Sequence, residues 1–521
     1  MHPEMQAGFP RYPPRAHTGL RQPLAFLVFL SLGCDGDFPN EPASALTLQP
    51  VGWPTELAVT DVVTLEVDVR LRDTEDRVSG LQMRWESSDE NVLGVEEVQP
   101  TPGADTEDSL LAQRRAVVTG RSGGTAEIRV IVDSGGPFEP AESTYALQVT
   151  EKWISISAGK AHTCGITINR LAYCWGEGDE GRLGDGRPLP SAVPVPVLAL
   201  GDLQFVAVDA GDESTCGIIA EGVTYCWGLG ESGRLGDDDI AERSQLAPTP
   251  VSGPLFGTVE VGPAVCGVAR DDRALCWGGN EEGHLGFNPL QSPGLDTCLD
   301  GNPCSLVPLQ VSFSGDAPDS YLSVTVGDDH ACGVSHVPED SLAFCWGTGV
   351  EGALGTGTSN DSPTPSPVVG GHRFRALSAG GSHTCGIAGS QTLCWGTNSD
   401  GQLGNGGTDL SLIPVPVSSG SFVALSSGGA HTCALTGEGE AFCWGLGSSG
   451  QLGNGSTVSQ TMPIPVSEVL RFEALSAGEF HTCGIARGGA AYCWGRGSAG
   501  RLGNGDTEDK ATPTRVSEPA N

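Results

Sequence analysis

The segment HTCGIARGGAAYCWGRGSAGRLGNG, residues 481–505, decides the fold because equivalent segments recur along the chain. Its Cys-Trp-Gly triplet occurs seven times, with the cysteine at positions 174, 226, 276, 345, 394, 443 and 493. The steps between these cysteines are 52, 50, 69, 49, 49 and 50 residues. A period near 50 residues is typical of a propeller blade or a solenoid unit. The sequence therefore predicts a repeat architecture for most of its length.

Each repeat contains four short segments with the pattern of β-strands. In the last repeat they are residues 472–478, 481–485, 491–495 and 512–517, separated by glycine-rich turns. Glycine and proline account for 76 and 36 of the 521 residues, which favours many turns and disfavours long helices. Four strands per repeat are typical of a β-propeller blade, so we expect an all-β fold.

The repeats resemble the regulator of chromosome condensation repeat, over residues 153–518 and in all seven units. The resemblance implies a closed seven-bladed β-propeller, which we assign to residues 151–521. Closure removes exposed sheet edges, and we expect the last strand, 512–517, to pair into the first blade. The best-known member of this family is a nuclear nucleotide exchange factor for a small GTPase. Other members are secreted bacterial proteins, among them an inhibitor of a β-lactamase.

Residues 44–150 contain no cysteine and are predicted to form a separate β-sandwich. Apolar and polar residues alternate along 63–71, and a period of two buries one face of a strand. About seven such strands in about 100 residues are typical of a sandwich. The motifs Trp-Glu-Ser-Ser-Asp at 85–89 and Gly-Gly-Thr-Ala at 123–126 resemble bacterial immunoglobulin-like group 2 modules, which implies a spacing or adhesion role. The predicted fold is an all-β seven-bladed β-propeller preceded by an immunoglobulin-like β-sandwich.

The amino terminus has the pattern of an export signal. Three arginines within residues 11–21 precede the apolar run 24–32, which is too short to span a bilayer and is followed by Cys34. The end of the run resembles a bacterial lipobox, so we expect a signal peptide over 1–34, lipidation of Cys34 and a linker over 35–43. The alternative is an ordinary signal peptide cut nearby. Both predict an exported protein, held in the cell envelope or at the cell surface by a lipid anchor, or secreted.

Charge and motif content exclude several functions. The net charge of −36 repels a phosphate backbone, so we expect no nucleic-acid partner. Five segments, such as residues 176–181, match the dinucleotide pattern G-x-G-x-x-G, but no helical pattern follows to hold a pyrophosphate. We therefore expect no cofactor and treat these glycines as turn residues. No acid–base or nucleophile set is recognisable, and we expect a non-enzymatic monomer with a protein partner.

Sixteen of the 17 cysteines lie between residues 164 and 493, an even number in an exported chain. Seven pairs are expected on the two strands of a hairpin, because facing strand residues need only small shifts to reach disulfide geometry. Their spacing is too wide for paired zinc ligands, and the alternative is buried free thiols. The expected disulfides are Cys164–Cys174, Cys216–Cys226, Cys266–Cys276, Cys298–Cys304, Cys332–Cys345, Cys385–Cys394, Cys433–Cys443 and Cys483–Cys493.

A histidine holds the same place in five repeats, and Ser214 and Val265 are taken as its replacements in the other two. A metal site is one interpretation, because histidine is a common ligand. Equivalent positions of a wide ring lie too far apart to share one ion with bonds of about 2 Å. We therefore expect each ring to donate a hydrogen bond to a local carbonyl. The five histidines are His162, His330, His383, His431 and His481.

The longest step between repeats, 69 residues, marks an insertion in the third repeat. Most of it lies between residues 286 and 307 and contains Cys298 and Cys304, a pair that no other repeat has. Insertions in repeat proteins often map to the binding face, and a disulfide pre-orders such a loop. The alternative is an insertion without function. The residues expected in a partner-binding loop are Asp296, Leu299, Asp300 and Asn302.

Three functions remain open on the sequence. The first is an exported, surface-tethered, non-enzymatic protein-binding propeller carried on the sandwich. The second is a secreted inhibitor of an extracellular enzyme such as a hydrolase. The third is a guanine-nucleotide exchange factor-like activity, which rests on the family resemblance alone. An enzyme or exchange factor would be distinguished by a polar cluster with strongly shifted pKa values in the propeller mouth.

Overall fold

A computed structural model describes the chain in segments between Leu46 and Pro519. The expected signal peptide, the linker and Cys34 lie outside the described residues. Within the described segments, no helix is long and apolar enough to cross a membrane. The described residues are 46–51, 53–54, 56–71, 82–98, 115–121, 123–133, 141–198, 203–287, 295–311, 319–336, 341–467 and 469–519.

Two antiparallel-rich sheets form the amino-terminal domain. The strands are β1 (Leu46–Val51), β2 (Glu56–Ala58), β3 (Val62–Leu71), β4 (Gln82–Ser87), β5 (Leu93–Glu97), β6 (Arg115–Gly120), β7 (Gly124–Asp133) and β8 (Ala141–Thr150). One sheet has the order β1-β3-β6-β5 and the other the order β2-β8-β7-β4.

The two sheets enclose one apolar core. Leu65 and Val118 from the first sheet belong to the same buried cluster as Trp85, Ile128 and Val149 from the second. Each of these side chains is at most 6% exposed. Alternate residues of each strand point into this core, which explains the period of two in the sequence. The domain is a two-sheet sandwich.

The rest of the described chain folds into seven further sheets. The first three contain β9 (Trp153–Ala158), β10 (His162–Thr167), β11 (Ala172–Gly176), β12 (Ser191–Pro196); β13 (Phe205–Ala210), β14 (Ser214–Ile219), β15 (Thr224–Gly228), β16 (Gln245–Pro250); and β17 (Phe256–Val261), β18 (Ala264–Ala269), β19 (Ala274–Gly279), β20 (Asp296–Thr297), β21 (Pro303–Gln310).

The remaining four sheets repeat the same plan. They contain β22 (Tyr321–Val326), β23 (His330–Ser335), β24 (Ala343–Gly347), β25 (Ser362–Pro367); β26 (Phe374–Ala379), β27 (His383–Ala388), β28 (Gln391–Gly396), β29 (Ser411–Pro416); β30 (Ala424–Ser427), β31 (His431–Leu435), β32 (Ala441–Gly445), β33 (Gln460–Pro465); and β34 (Phe472–Ala477), β35 (His481–Ala486), β36 (Ala491–Gly495), β37 (Lys510–Arg515). Four short 3₁₀ helices are Asp179–Gly181, Glu231–Gly233, Val350–Gly352 and Ser498–Gly500.

Each of these seven sheets is one blade, built from consecutive strands that we call A to D. Blade 3 has a fifth strand, β20, which pairs with β21, its strand D. The A strands of neighbouring blades pack together at the centre of the ring. The fold is therefore the all-β, seven-bladed propeller that the repeat count predicts.

The expected pairing of the last strand into the first blade is wrong. β37 pairs with β36 of its own blade, with Cys493 opposite Thr514. Blade 1 has its own strand D, β12, so the position beside β11 is already filled. Blades 7 and 1 instead meet through hydrogen bonds such as that from Trp175 Nε1 to Arg501 O, 3.0 Å.

The strand directions give the propeller two faces. The A–B turns and C–D loops form the upper face, and the B–C hairpins and D–A connections form the lower face. Residue 150 ends the sandwich and residue 153 begins the first A strand, so the sandwich joins the lower face. Lys152 Nζ lies 2.6 Å from Asp61 Oδ1, and Asn169 Nδ2 donates to Arg121 O at 3.2 Å. The upper face is the one remote from this junction.

Candidate functional site

A hydrogen-bonded motif recurs at the seams between blades. His383 Nε2 in blade 5 lies 2.9 Å from Thr432 Oγ1 in blade 6, and that hydroxyl donates to Gln402 O of blade 5 at 3.0 Å. Since the hydroxyl proton goes to the carbonyl, the hydroxyl oxygen accepts the Nε2–H of His383. The equivalent pairs are His162–Thr215, His330–Thr384, His431–Thr482 and His481–Thr163.

These five histidines are structural donors. All are fully buried, and burial lowers the pKa of His162, His330 and His383 to about 3 and that of His431 to about 4. Burial also lowers the pKa of His481. The neutral rings donate to a threonine hydroxyl of the next blade, whereas the sequence led us to expect a carbonyl acceptor. Within the described residues, no group of three potential ligands is placed to hold a metal.

Where a repeat lacks the histidine, the next blade also lacks the threonine that would accept its hydrogen bond. Ala264, and not Val265, lies opposite Gly278, as each histidine lies opposite a glycine, so the expected replacement was wrong by one position. At the seam between blades 2 and 3, Ser214 takes the histidine position and Val265 takes the threonine position. At the next seam, Ala264 and Ala331 lie in one apolar cluster. A histidine without its threonine would leave a buried donor unsatisfied, at a cost of about 1–3 kcal/mol.

A tryptophan from every blade completes the seams. All seven Cys-Trp-Gly tryptophans are fully buried, and each Nε1 donates to a C–D loop carbonyl of the preceding blade at 2.7–3.1 Å. The Leu-Gly glycines leave room for these rings. Gly503 has φ +67°, and a Cβ there would lie 2.6 Å from Trp175 Nε1. The glycine motif therefore serves blade packing at this position.

The structure joins all eight expected cysteine pairs. In the seven blade disulfides the cysteines face each other on strands B and C, as Cys483 faces Cys493. Their Cα atoms are 4.0–4.1 Å apart. All fourteen of these cysteines are fully buried. They lie in the apolar clusters between neighbouring blades, so each disulfide ties a hairpin inside the core.

The insertion of blade 3 forms a disulfide-closed hairpin on the upper face. β20 pairs with the start of β21, placing Asp296 opposite Cys304. Cys298 N donates to Asn302 O at 3.0 Å, and the Cys298–Cys304 bond closes the turn. Leu299 projects from the tip and is 73% exposed. We call residues 295–304 the blade 3 hairpin.

One buried carboxylate fixes the blade 3 hairpin against blade 2. Glu242, in the C–D loop of blade 2, is 8% exposed. It accepts Leu299 N at 2.6 Å through Oε1 and Ser232 N at 2.5 Å through Oε2. Ser232 Oγ also donates to Asp300 Oδ2 at 3.2 Å. Sequence reasoning missed Glu242, because only the fold brings this single loop acid to another repeat.

The four expected loop residues occupy different environments. Asp296, Leu299 and Asp300 are exposed, whereas Asn302 is half-buried and its side-chain amide donates to Glu281. The two ends of the insertion belong to the blade itself. Phe287 is in the apolar core and Cys304 pairs with Gly279 on strand C. Among the described residues of the insertion, the blade 3 hairpin is thus the part available to a partner.

The innermost strands carry a ring of polar side chains that the sequence did not single out. Asp209 accepts Ser157 Oγ at 2.7 Å and Val261 N at 2.6 Å, which joins blades 1, 2 and 3. Burial raises the pKa of Asp209 to about 6, and burial together with Asp209 raises the pKa of Glu260. No sequence motif marked Asp209 and Glu260, because the other five blades have serine or threonine at the equivalent position of strand A. These equivalent residues are Ser157, Thr325, Ser378, Ser426 and Ser476.

Comparison with known families identifies the repeats. The family model for the Regulator of chromosome condensation (RCC1) repeat matches residues 171–218, 340–387, 391–435, 438–485 and 488–521. A second model for the same repeat matches 153–182, 422–451 and 472–501. The presence of RCC1 repeats, which the sequence motifs predict, is confirmed.

Two curated proteins are similar to this chain in sequence. The Ultraviolet-B receptor UVR8 of Arabidopsis thaliana is 31% identical over 260 residues, which are 49% of this chain and 56% of UVR8. Human E3 ubiquitin-protein ligase HERC2 is 28% identical over 171 residues, 33% of this chain and 4% of HERC2. This chain thus spans little more than half of UVR8 and a small part of HERC2.

Two solved structures resemble the propeller. Human WBSCR16 has a TM-score of 0.58 at 20% identity and covers 67% of this chain and 95% of its own. Prp20p from Saccharomyces cerevisiae has a TM-score of 0.57 at 19% identity and covers 70% and 87%. At these identities the likeness shows an RCC1-like propeller fold.

Proposed function

We propose that this chain, which carries RCC1 repeats on an RCC1-like propeller, is an exported, surface-tethered and non-enzymatic protein-binding module. Cys34 carries the lipid anchor, and the sandwich, which resembles bacterial immunoglobulin-like group 2 modules, acts as a spacer. Protein binding has precedent in yeast Prp20p, whose binding to Gsp1p and histones was studied with its structure. The partner of the present chain is a protein, recognised by the upper face.

The junction between the two domains supports this choice of face. The sandwich enters at the lower face, where Glu151 N donates to Glu518 Oε2 at 2.8 Å and Gly123 N to Glu151 Oε1 at 2.8 Å. An anchor at Cys34 precedes the sandwich in the chain. The upper face therefore lies on the side of the propeller opposite the sandwich.

The blade 3 hairpin is the observation that carries the proposal. Its disulfide and Glu242 order it before a partner arrives, which lowers the entropy cost of binding. Leu299 and Ile240, in the loops that Glu242 links, are 73% and 76% exposed. Exposed apolar side chains on an ordered loop are typical of binding anchors. Leu299 and Ile240 therefore mark the centre of the proposed binding surface.

Capture from the cell envelope tests the proposal with a single substitution. Leu299→Arg places a charge at the hairpin tip without touching the core, and Leu410→Arg is its control, 50% exposed in the C–D loop of blade 5. We expect wild type and Leu410→Arg to capture the same cross-linked protein, and Leu299→Arg to capture at least tenfold less. Equal capture by all three proteins contradicts a role for the hairpin. Failure of wild type to capture any protein above a propeller-free control contradicts the binding module.

A secreted inhibitor of an extracellular hydrolase is the second candidate. The same pre-ordered hairpin favours it, because rigid loops are typical of tight inhibitor complexes. It is distinguished by a captured hydrolase whose activity falls in one-to-one proportion to the added protein. An exchange-factor activity has no support beyond family analogy.

A further inference from the structure

A cleft of about 280 Å³ opens on the upper face where blade 7 meets blade 1. Its walls include Lys160 and Arg182 from blade 1 and Phe480, Arg496 and Arg501 from blade 7. The whole chain has 28 lysines and arginines against 64 acidic residues. The walls also contain four carboxylates, so the cleft is balanced in charge whereas the chain as a whole is strongly acidic. These acids are Glu177, Asp212, Glu213 and Glu479.

Arg501 is a buried cation without an ion-pair partner among the described residues. It is 7% exposed, and its guanidinium donates to neutral acceptors, Ser498 O at 3.0 Å and Lys160 O at 2.8 Å. Burial and the neighbouring Arg496 both lower the pKa of Arg501. A buried charge is costly unless an opposite charge compensates it. This arginine leaves positive charge in the cleft that a ligand can neutralise.

Arg496 supplies the accessible part of the cleft. Its side chain is exposed, and its guanidinium lies over the Phe480 ring, 5.3 Å from the centroid. Arg496 N donates to Phe480 O at 2.9 Å, which holds the two residues together. A guanidinium stacked on a ring keeps its N–H edge available to a carboxylate, which it binds through two parallel hydrogen bonds.

Three of the four acidic residues of the walls pair with cations other than Arg496 and Arg501. Glu213 Oε2 lies 3.5 Å from Arg234 Nη1. Glu177 Oε2 lies 3.3 Å from Arg182 Nη1, and Asp212 Oδ2 lies 3.6 Å from Lys160 Nζ. Glu479 also lines the cleft, but within the described chain it forms no ion pair with Arg496 or Arg501. Within the described chain, the arginines of blade 7 are therefore the two cations of the cleft without a direct ion pair, and Glu479 acts on both of them only at a longer distance.

We propose that this cleft binds a carboxylate group, held by Arg496 and attracted by the buried charge of Arg501, with Phe480 against its apolar flank. An acidic side chain and a free chain end both present this group. The site lies in blades 7 and 1, away from the blade 3 hairpin, so the inference does not depend on the proposed recognition by the hairpin.

Three short peptides test the site by isothermal titration calorimetry. Acetyl-Gly-Glu-Gly-amide presents a side-chain carboxylate, acetyl-Gly-Gln-Gly with a free carboxyl end presents a terminal one, and acetyl-Gly-Gln-Gly-amide is the neutral control. We expect at least one charged peptide to bind with a millimolar or lower Kd, and the neutral peptide to bind at least tenfold more weakly. The charged peptide that binds more tightly identifies the source of the carboxylate.

Two arginine variants separate this site from general charge effects. Arg496→Gln should weaken binding of the charged peptide at least tenfold. Arg187→Gln should leave it unchanged, since Arg187 is 61% exposed on the same face and is paired with Asp185 at 2.6 Å. Thermal unfolding checks that both variants are folded. The proposal is overturned by equal binding of neutral and charged peptides, by unchanged binding in Arg496→Gln, or by no binding of either charged peptide at millimolar concentration.

Discussion

His481 Nε2 lies 2.8 Å from Thr163 Oγ1, so the last and first blades of the ring are hydrogen-bonded neighbours. Thr163 Oγ1 donates in turn to Arg501 O at 3.0 Å, the carbonyl that Trp175 Nε1 also reaches. Four other seams contain the same histidine–threonine pair. The ring is therefore closed by the motif that joins the blades at four of its six interior seams, without an exchanged strand.

Thr163→Val tests this closure. The substitution keeps the shape of the side chain but leaves the buried Nε2–H of His481 without an acceptor, so we expect a loss of about 1–3 kcal/mol in the free energy of unfolding. His481→Leu should also destabilise, and the double variant should lose less than the sum of the two single losses, because no donor is then left unsatisfied. Urea denaturation measures all three variants, and strict additivity contradicts a direct bond across the seam.

The buried histidines should make the propeller sensitive to acid. The pKa of His383 is about 3 in the folded protein and about 6.5 in an unfolded chain. Because the unfolded chain takes up the proton first, the stabilisation is fully present above pH ~6.5 and is lost as the pH falls towards 3. Between pH 7 and pH 5 this one histidine should remove about 2 kcal/mol.

Groups such as Asp209 have the opposite effect on the pH dependence of stability, because a raised carboxyl pKa stabilises the folded protein in acid. The variant His383→Gln separates the contribution of His383 from theirs. The variant should be less stable than wild type at pH 7 and should lose less stability between pH 7 and pH 5. Denaturant midpoints at the two pH values give the comparison. A variant whose midpoint falls as far as that of wild type shows that His383 does not titrate in this way.

Disulfides should form within the blades. Peptide mapping without reductant should recover Cys483 linked to Cys493, and Cys483→Ala combined with Cys493→Ala should lower the free energy of unfolding by about 3 kcal/mol, since the bond closes a short loop. Free thiols at these two positions in protein from an oxidising compartment reject the prediction. The control is Cys298→Ala with Cys304→Ala, which should chiefly release the blade 3 hairpin and raise its amide exchange.

Lipidation of Cys34 is the prediction for the amino terminus. Growth with a radioactive fatty acid should label the wild-type protein and leave Cys34→Ala unlabelled. A single acyl chain gives only marginal membrane binding, so stable retention in the cell envelope requires more than one. An unlabelled wild-type protein that is freely secreted contradicts the anchor.

The blades were predictable because their signals are local. Cys-Trp-Gly repeats at a fixed period, and each cysteine has its partner across one hairpin, so blade number and cysteine pairing follow from residues close in sequence. Ring closure was not predictable in this way. It depends on Thr163 and His481, which are 318 residues apart, and the same two residue types form the pair at four other seams.

The candidate site was predicted only in part, for the same reason. The extra cysteines marked the blade 3 hairpin, and Leu299 is exposed at its tip as expected. Glu242, which fixes the hairpin, lies in the preceding repeat and has no motif around it. The cleft of Arg496 and Arg501 exists only because the two ends of the ring meet, a relation that no spacing in the sequence records.

Site-specific photo-cross-linking on intact cells shows whether the blade 3 hairpin contacts a protein partner. A photoreactive phenylalanine replaces Leu299 in one protein and Leu410 in another, both exposed in C–D loops of the upper face. We expect a discrete cross-linked protein from position 299 that is absent from position 410. No cross-link at position 299, or the same cross-linked proteins from both positions, would show that the hairpin does not recognise a protein partner.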